Sequence, residues 1–366
     1  MSGAHLPSAR LMVTFTPLIH AEFDPPVGFG QAFFAKHGIP CLSFVSSRPH
    51  WWQTPELFGA LDQARKIAAR YDQVVTYGSS MGGYGALLCS GPLGATEVIA
   101  ACPQFSIDPA KAPFERRWLH HARKLDFVFD DMNQTMSRTA KKYVIYDPTI
   151  VDREHAALFD KRNMEEVRLA FAGHAPLAYL GSMKLLTGSI LTMVDGEFDK
   201  AKLTLDVRTL RRNLPDAWVG MAKAKAERGD IFGAMTAYET AKALGPRMVR
   251  PRLELAELRS SSGDVDGALG EIEQAMAVLP GNGKLRKVHA VLIARAIRLG
   301  RHDPERLASL QRLYKDEIAR DPPAAALMAR LGPKQHAANP PPISPAAPQF
   351  GIVSSFNALR GKLGGS

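Results

Sequence analysis

The chain has 366 residues, 46% of them hydrophobic, enough for two domains with separate cores. No apolar run approaches the roughly 20 residues that span a bilayer, and residues 1–10 hold no apolar segment of signal-peptide length, so a cytoplasmic chain without a transmembrane segment is expected. The net charge of +10 is one-sided: residues 1–200 carry 20 Lys and Arg against 20 Asp and Glu, whereas residues 201–366 carry 26 against 16, which marks a boundary near residue 200 and leaves no nucleic-acid partner expected.

Leu11 to Thr16 is a short apolar and β-branched run stopped by Pro17, the pattern of a buried parallel strand. Gln31 to His37 suits a short helix, and Ile39 to Val45 the next strand. An aromatic loop, Arg48-Pro49-His50-Trp51-Trp52-Gln53, follows at the end of the sheet where a site would lie, so Trp51 and Trp52 are candidates to line a substrate pocket or to cover the core edge. Thr54-Pro55-Glu56 opens a helix with a capping residue and a first-turn proline. Leu57, Leu61, Ala64, Ile67 and Ala68 then recur at helical spacing.

Val74-Val75-Thr76-Tyr77 leads straight into Gly78-Ser79-Ser80-Met81-Gly82, and Gly83-Tyr84-Gly85-Ala86-Leu87-Leu88 leads straight out. The sequence G-x-S-x-G between a strand and a helix is the nucleophile elbow, in which a serine sits on a strained turn and small neighbours let the helix pass close to the strand. Ser80 is the candidate nucleophile. Met81 N–H is one candidate oxyanion donor, and the loop after the first strand supplies the other, for which Leu18 is expected because Pro17 has no N–H.

Val98 to Ala101 reads as a strand, followed by Pro103-Gln104-Phe105-Ser106; Gln104 and Tyr84 join the tryptophans as pocket candidates. Residues 108–142 form a helical or irregular excursion, expected as a lid or as an ordinary crossover, with His120 and His121 as residues that could touch a substrate. Tyr143 to Tyr146 is the next strand, Asp147 stands at its tip, and Asp152 opens a helix. Val167 to Ala172 is expected as the last strand, ending in Gly173-His174. Serine, acid and histidine thus occur in the chain order of a hydrolase triad, with His174 as base. Asp147 is favoured as the acid because a strand-tip carboxylate can hold imidazole Nδ1–H, while Asp152 fits a helix N-cap and stays open as the alternative. His155, His50 and His20 are weaker choices of base, the first inside a helix and the others ahead of the elbow. Cys41, Cys89 and Cys102 have no metal-ligand spacing, so free thiols are expected, with no metal and no cofactor.

Together Tyr77 to Ala86, Pro103-Gln104, Tyr146-Asp147-Pro148 with Asp152 and His155, and Gly173-His174 resemble bacterial α/β-hydrolase-like proteins of the kind found with surface-polysaccharide functions. The resemblance covers about residues 10 to 195, and the elbow is its one highly specific motif. It implies an α/β-hydrolase-like, mostly parallel sheet with helices on both faces and a serine hydrolase triad, but no particular substrate. Asp147 departs from that family's usual acid, which follows its strand by a few residues.

Residues 216–280 repeat with a period of 34: Ala222 and Ala256, Gly229-Asp230 and Gly263-Asp264, Ala234 and Ala268, Ala241 and Ala275, Pro246 and Pro280. That is the tetratricopeptide length, with small residues where paired helices touch and Gly-Asp at the turn; Gly300 comes three residues late, so a third repeat is degenerate. From residue 333 the composition turns to Pro, Ala, Ser and Gly, a disordered tail in which Ile352 to Leu363 suits a transient basic turn.

The expected organisation is therefore an α/β-hydrolase domain over residues 10–199, an all-α helical-repeat domain over 200–332 and a tail over 333–366. The leading functional expectation is an esterase or acyl hydrolase working through an acyl-enzyme on a small acyl or acylated-carbohydrate substrate, and acyl transfer would use the same residues. The alternative is an inactive hydrolase-fold scaffold whose repeats bind a protein partner.

Overall fold

The computed structural model describes residues 10–18 and 26–299. His20, Gly300, the end of the third repeat, the tail and its basic turn lie outside the described residues. The chain divides into two compact units at Gly220 and Met221, later than the charge break.

The first unit runs β1 (Arg10–Phe15), α1 (Gln31–Lys36), β2 (Cys41–Phe44), α2 (Glu56–Ala68), β3 (Gln73–Ser79), α3 (Met81–Leu88) and β4 (Glu97–Ala101). It continues through α4 (Leu119–Ala122), α5 (Met132–Thr135), β5 (Lys141–Tyr146), α6 (Asp152–Leu158), β6 (Met164–Arg168), α7 (Pro176–Ser182), α8 (Leu186–Asp195) and α9 (Lys200–Leu210). The described strands form one sheet in the order β2-β1-β3-β4-β5-β6, every pair parallel. Alternation along the strands sends side chains to opposite faces. Leu11, Val13, Phe15, Val98, Ala100 and Val144 enter one core with Leu57 and Leu61 of α2 and Leu87 of α3. Met12, Val75, Tyr77, Ile99, Tyr143 and Ile145 enter the other, with Phe34 of α1, Leu180 of α7, Ile190 of α8 and Val207 of α9. A sheet buried on both faces explains why its strands read as continuous apolar runs rather than as alternation.

Helix α9 therefore belongs to the first unit: Leu203 and Val207 sit in its second core. Thr54 does not cap α2, since its hydroxyl turns to Glu56 and Pro55 holds the cap position. Strand β6 ends at Arg168, ahead of the expected run to Ala172. Its partner β5 pairs as far as Tyr146 opposite Arg168, and past that point Asp147 leaves the ladder. Leu169 N–H still reaches Tyr146 carbonyl at 2.8 Å, after which Phe171 and Gly173 turn away with φ of 73° and 62°.

The second unit is helical, with α10 (Pro215–Glu227) entering it and α11 (Ile231–Leu244), α12 (Val249–Ser261), α13 (Val265–Val278) and α14 (Gly283–Arg298) following. The 34-residue period is structural. Ala222, Ala234, Ala241, Ala256, Ala268 and Ala275 are each wholly buried, because a larger side chain at these positions would hold the paired helices apart. At both turns an aspartate caps the next helix: Asp230 accepts from Gly233 N–H and Asp264 from Gly267 N–H, each at 2.9 Å. A cation on the preceding helix pairs with the same carboxylate, Lys225 at 2.7 Å and Arg259 at 2.8 Å. Among the described residues no single helix is long and apolar enough to cross a membrane.

Candidate active site

Ser80 stands between β3 and α3 with φ 54° and ψ −120°, a strained conformation for a residue with a side chain. Two close approaches force it. A Cβ on Gly78 would lie 2.1 Å from Gly82 carbonyl oxygen, and one on Gly82 would lie 2.2 Å from Phe15 carbonyl oxygen. The glycines thus let α3 start directly over the ends of β1 and β3, leaving the serine hydroxyl at the tip of the sheet.

His174 meets it from the segment after β6. Ser80 Oγ is 2.9 Å from His174 Nε2, and His174 Nδ1 is 2.9 and 3.1 Å from the two oxygens of Asp152. Nδ1–H therefore donates to the carboxylate, and Nε2 is left to accept the serine proton. The acid on the imidazole is Asp152, not the favoured Asp147. Asp147 closes a turn in its own loop, with Oδ1 accepting from Thr149 N–H at 2.8 Å and Thr149 hydroxyl at 2.7 Å, while Oδ2 accepts Gly173 N–H at 2.7 Å. Those bonds use up its carboxylate and tie down the loop that carries His174. Asp152 is no helix cap: Val151 holds the cap position, so the Asp152 side chain is free to turn to the imidazole.

A set of charges backs Asp152, with Glu115 and His155 buried and Arg117 reaching the surface. Arg117 Nη1 is 2.8 Å from Asp152 Oδ1 and 3.3 Å from His174 Nδ1, and the same guanidinium pairs with Glu115. Glu115 is in turn 2.8 Å from His155 Nε2, and His155 Nδ1 accepts Phe105 N–H at 3.1 Å. Burial opposes the charge on Glu115, but hydrogen bonds from His155 and Arg117 hold its carboxyl down at about 2. His155 is thus a buried bracket, away from Ser80. On His174 burial works hardest against the proton, yet Cys102 and then Asp152 outweigh it, so the imidazole holds its proton above the usual histidine range. Cys102, with φ 38°, sits just past β4; its thiol lies 3.5 Å from Ser79 Oγ. Cys102, Asp152 and His174 bring three donor atoms within 4.8 Å of one another. Arg117 already neutralises Asp152 there, which makes the group a poor cation site.

Gln104 is wholly buried, and its Nε2 is 3.3 Å from Ser80 Oγ. The other pocket candidates divide. Trp51 donates from Nε1 to Gln104 Oε1 at 3.0 Å and packs near Trp118 and His121. Trp52 and Tyr84 belong to the core: Trp52 Nε1 donates to Met81 carbonyl at 2.8 Å, and Tyr84 hydroxyl donates to buried Asp130 at 2.6 Å. The loop 50–53 is fixed by His50, which accepts Trp52 N–H on Nδ1 and bonds Ser46 through Nε2. His121 is half-buried in that aromatic cluster, whereas His120 is exposed and bonds Lys124. Met81 heads α3, where backbone N–H groups lack intrahelical acceptors, and Leu18 is half-buried in the stretch directly after β1. Arg117 and Glu115 are absent from the sequence expectations, and Cys102 appears there only as a free thiol. The acidic-basic pair two residues apart in the excursion was their one visible trace, because their partners lie far along the chain.

No protein-family model and no curated protein matches the chain. Among solved structures, two titled "Crystal structure of MamA protein" and "Crystal structure of MamA" overlap it at 15% and 16% identity, each with a TM-score of 0.26. Each overlap takes in 44% of this chain, and 81% and 90% of the respective MamA chains. At that score the overlap establishes neither fold nor activity.

Proposed function

We propose that the first unit is a serine hydrolase acting on carboxylic esters through an acyl-enzyme. The observation that carries this reading is the hydrogen-bonded line from Ser80 Oγ through both nitrogens of His174 to Asp152. In it, His174 Nε2 takes the Ser80 proton as Oγ attacks the acyl carbon, and Asp152 holds the imidazole in the tautomer that can do so. Met81 N–H, at the positive end of α3, supports the developing oxyanion, with Leu18 N–H as the second donor. Expulsion of the alcohol takes the proton back from His174. Water, activated by the same base, then frees the acid; an acceptor hydroxyl in place of water makes the reaction acyl transfer, and an acylated carbohydrate suits either course.

A fluorophosphonate probe tests this directly, labelling the wild type and sparing Ser80→Ala. For the second unit, the repeated helix pairs support protein–protein recognition. A pull-down with the full chain as bait, compared with residues 1–220, tests it: recovery of the same partner by both would remove that role.

A further inference from the structure

The buried amide of Gln104 is a group whose hydrogen-bonding direction is set from behind. Trp51 Nε1–H can only donate, so the Gln104 atom it meets at 3.0 Å must be the carbonyl oxygen. The amide nitrogen is thereby turned toward the site, 3.3 Å from Ser80 Oγ and 3.5 Å from His174 Nε2. Trp51 is itself held with φ 44° and no exposure, so this direction is built into the fold at a conformational cost.

Those two distances define a position. A leaving alcohol oxygen must stand beside Oγ, since both are bonded to the same tetrahedral carbon, and beside His174 Nε2, from which it takes its proton. A donor close to both atoms faces that oxygen. Resting on the hydrolase reading, we infer that Gln104 donates a hydrogen bond to the leaving oxygen as the acyl carbon–oxygen bond breaks, with Trp51 as the residue that orients it. In that step the Ser80 Oγ–acyl bond has formed and the bond to the alcohol oxygen breaks. The electron pair goes to that oxygen, and His174 returns the proton it took from Oγ; Gln104 transfers none. Before substrate binds, the same N–H on Oγ leaves the serine hydrogen pointing to His174. The site is accordingly suited to esters of ordinary alcohols, whose strongly basic leaving oxygen needs both the His174 proton and a hydrogen bond to depart, rather than to activated esters alone.

The test compares phenyl acetate with p-nitrophenyl acetate, whose leaving oxygens differ in how much negative charge stays on them as the bond breaks. Gln104→Met removes the donor with little change of volume and is expected to slow phenyl acetate about tenfold more than p-nitrophenyl acetate, the worth of one such hydrogen bond. Trp51→Phe keeps a ring and frees the amide, and is expected to show a smaller loss with the same dependence on leaving group; it carries the test should the first variant not fold. Equal losses on the two esters, or none, would overturn the inference while leaving the hydrolase reading intact. A wild type that neither labels with a fluorophosphonate nor turns over either ester would overturn both.

Discussion

At the residue scale the two aspartates hold different partners: Asp152 meets the His174 imidazole, and Asp147 closes its own loop. Asp152→Asn keeps the volume but presents an amide to Nδ1, favouring the wrong tautomer, so fluorophosphonate labelling should slow by about 10⁴-fold. Asp147→Ala removes the acceptor of three hydrogen bonds, one of them beside His174, and should lower stability by about 2–3 kcal/mol in urea titration while slowing labelling far less than Asp152→Asn. The reverse result would restore Asp147 to the imidazole. The sequence shows Ser80, two candidate acids and His174 in an order that the fold brings together, but it does not separate these acids. A strand tip and a helix start both orient carboxylates, and which one is consumed locally depends on a Thr149 turn visible only in three dimensions.

The charge on His174 gives a signed pH prediction. A base must be neutral to take the Ser80 proton, so a histidine whose proton is held more tightly becomes active at higher pH. The acid limb of the labelling rate should therefore lie above the ordinary histidine range. Cys102→Ala removes the leading contribution that raises it and should move the limb toward lower pH. Arg117→Gln removes a cation 3.3 Å from Nδ1 and should move it toward higher pH. Shifts of the same sign in both variants would refute this account of the site's electrostatics.

At the scale of elements, the elbow was legible because its constraint is local. Gly78 and Gly82 are demanded by backbone contacts within one strand-turn-helix, and the sequence carries them in plain view. Gly82→Ala should cost about 3 kcal/mol or prevent folding, since the new Cβ would press on Phe15 carbonyl oxygen; an unchanged melting temperature would show that α3 does not sit so close. The last strand was only partly legible. Val167 to Ala172 has strand composition throughout, but β6 lies at the sheet edge and stops where β5 offers no further partner. The excursion was less legible still. Its order rests on pairings such as Tyr84 with Asp130 and Glu115 with His155, whose members are 46 and 40 residues apart and follow no period.

At the scale of the whole molecule, composition divided the chain into an α/β part and a helical part, with the boundary drawn too early. Charge marks where basic residues accumulate, whereas the physical division follows packing, and α9 contributes its apolar face to the sheet's core. The 34-residue period survived translation into structure because each repeated position has one local task. The Asp264 carboxylate both caps α13 and pairs with Arg259, so Asp264→Ala should destabilise the second unit by about 1 kcal/mol, read as hydrogen exchange quickening across α12 and α13. Exchange that quickens instead along β1 to β6 would mean the two units do not unfold separately.

The central claim is that Ser80 is a nucleophile activated by His174 and Asp152. Its most direct measurement is covalent labelling of the purified full chain by a fluorophosphonate, followed by mass spectrometry of the modified peptide. One adduct on Ser80 is expected in the wild type, none in Ser80→Ala, and a rate that collapses in Asp152→Asn. Folded wild-type protein that acquires no adduct, or acquires it equally with Ser80→Ala, would contradict it.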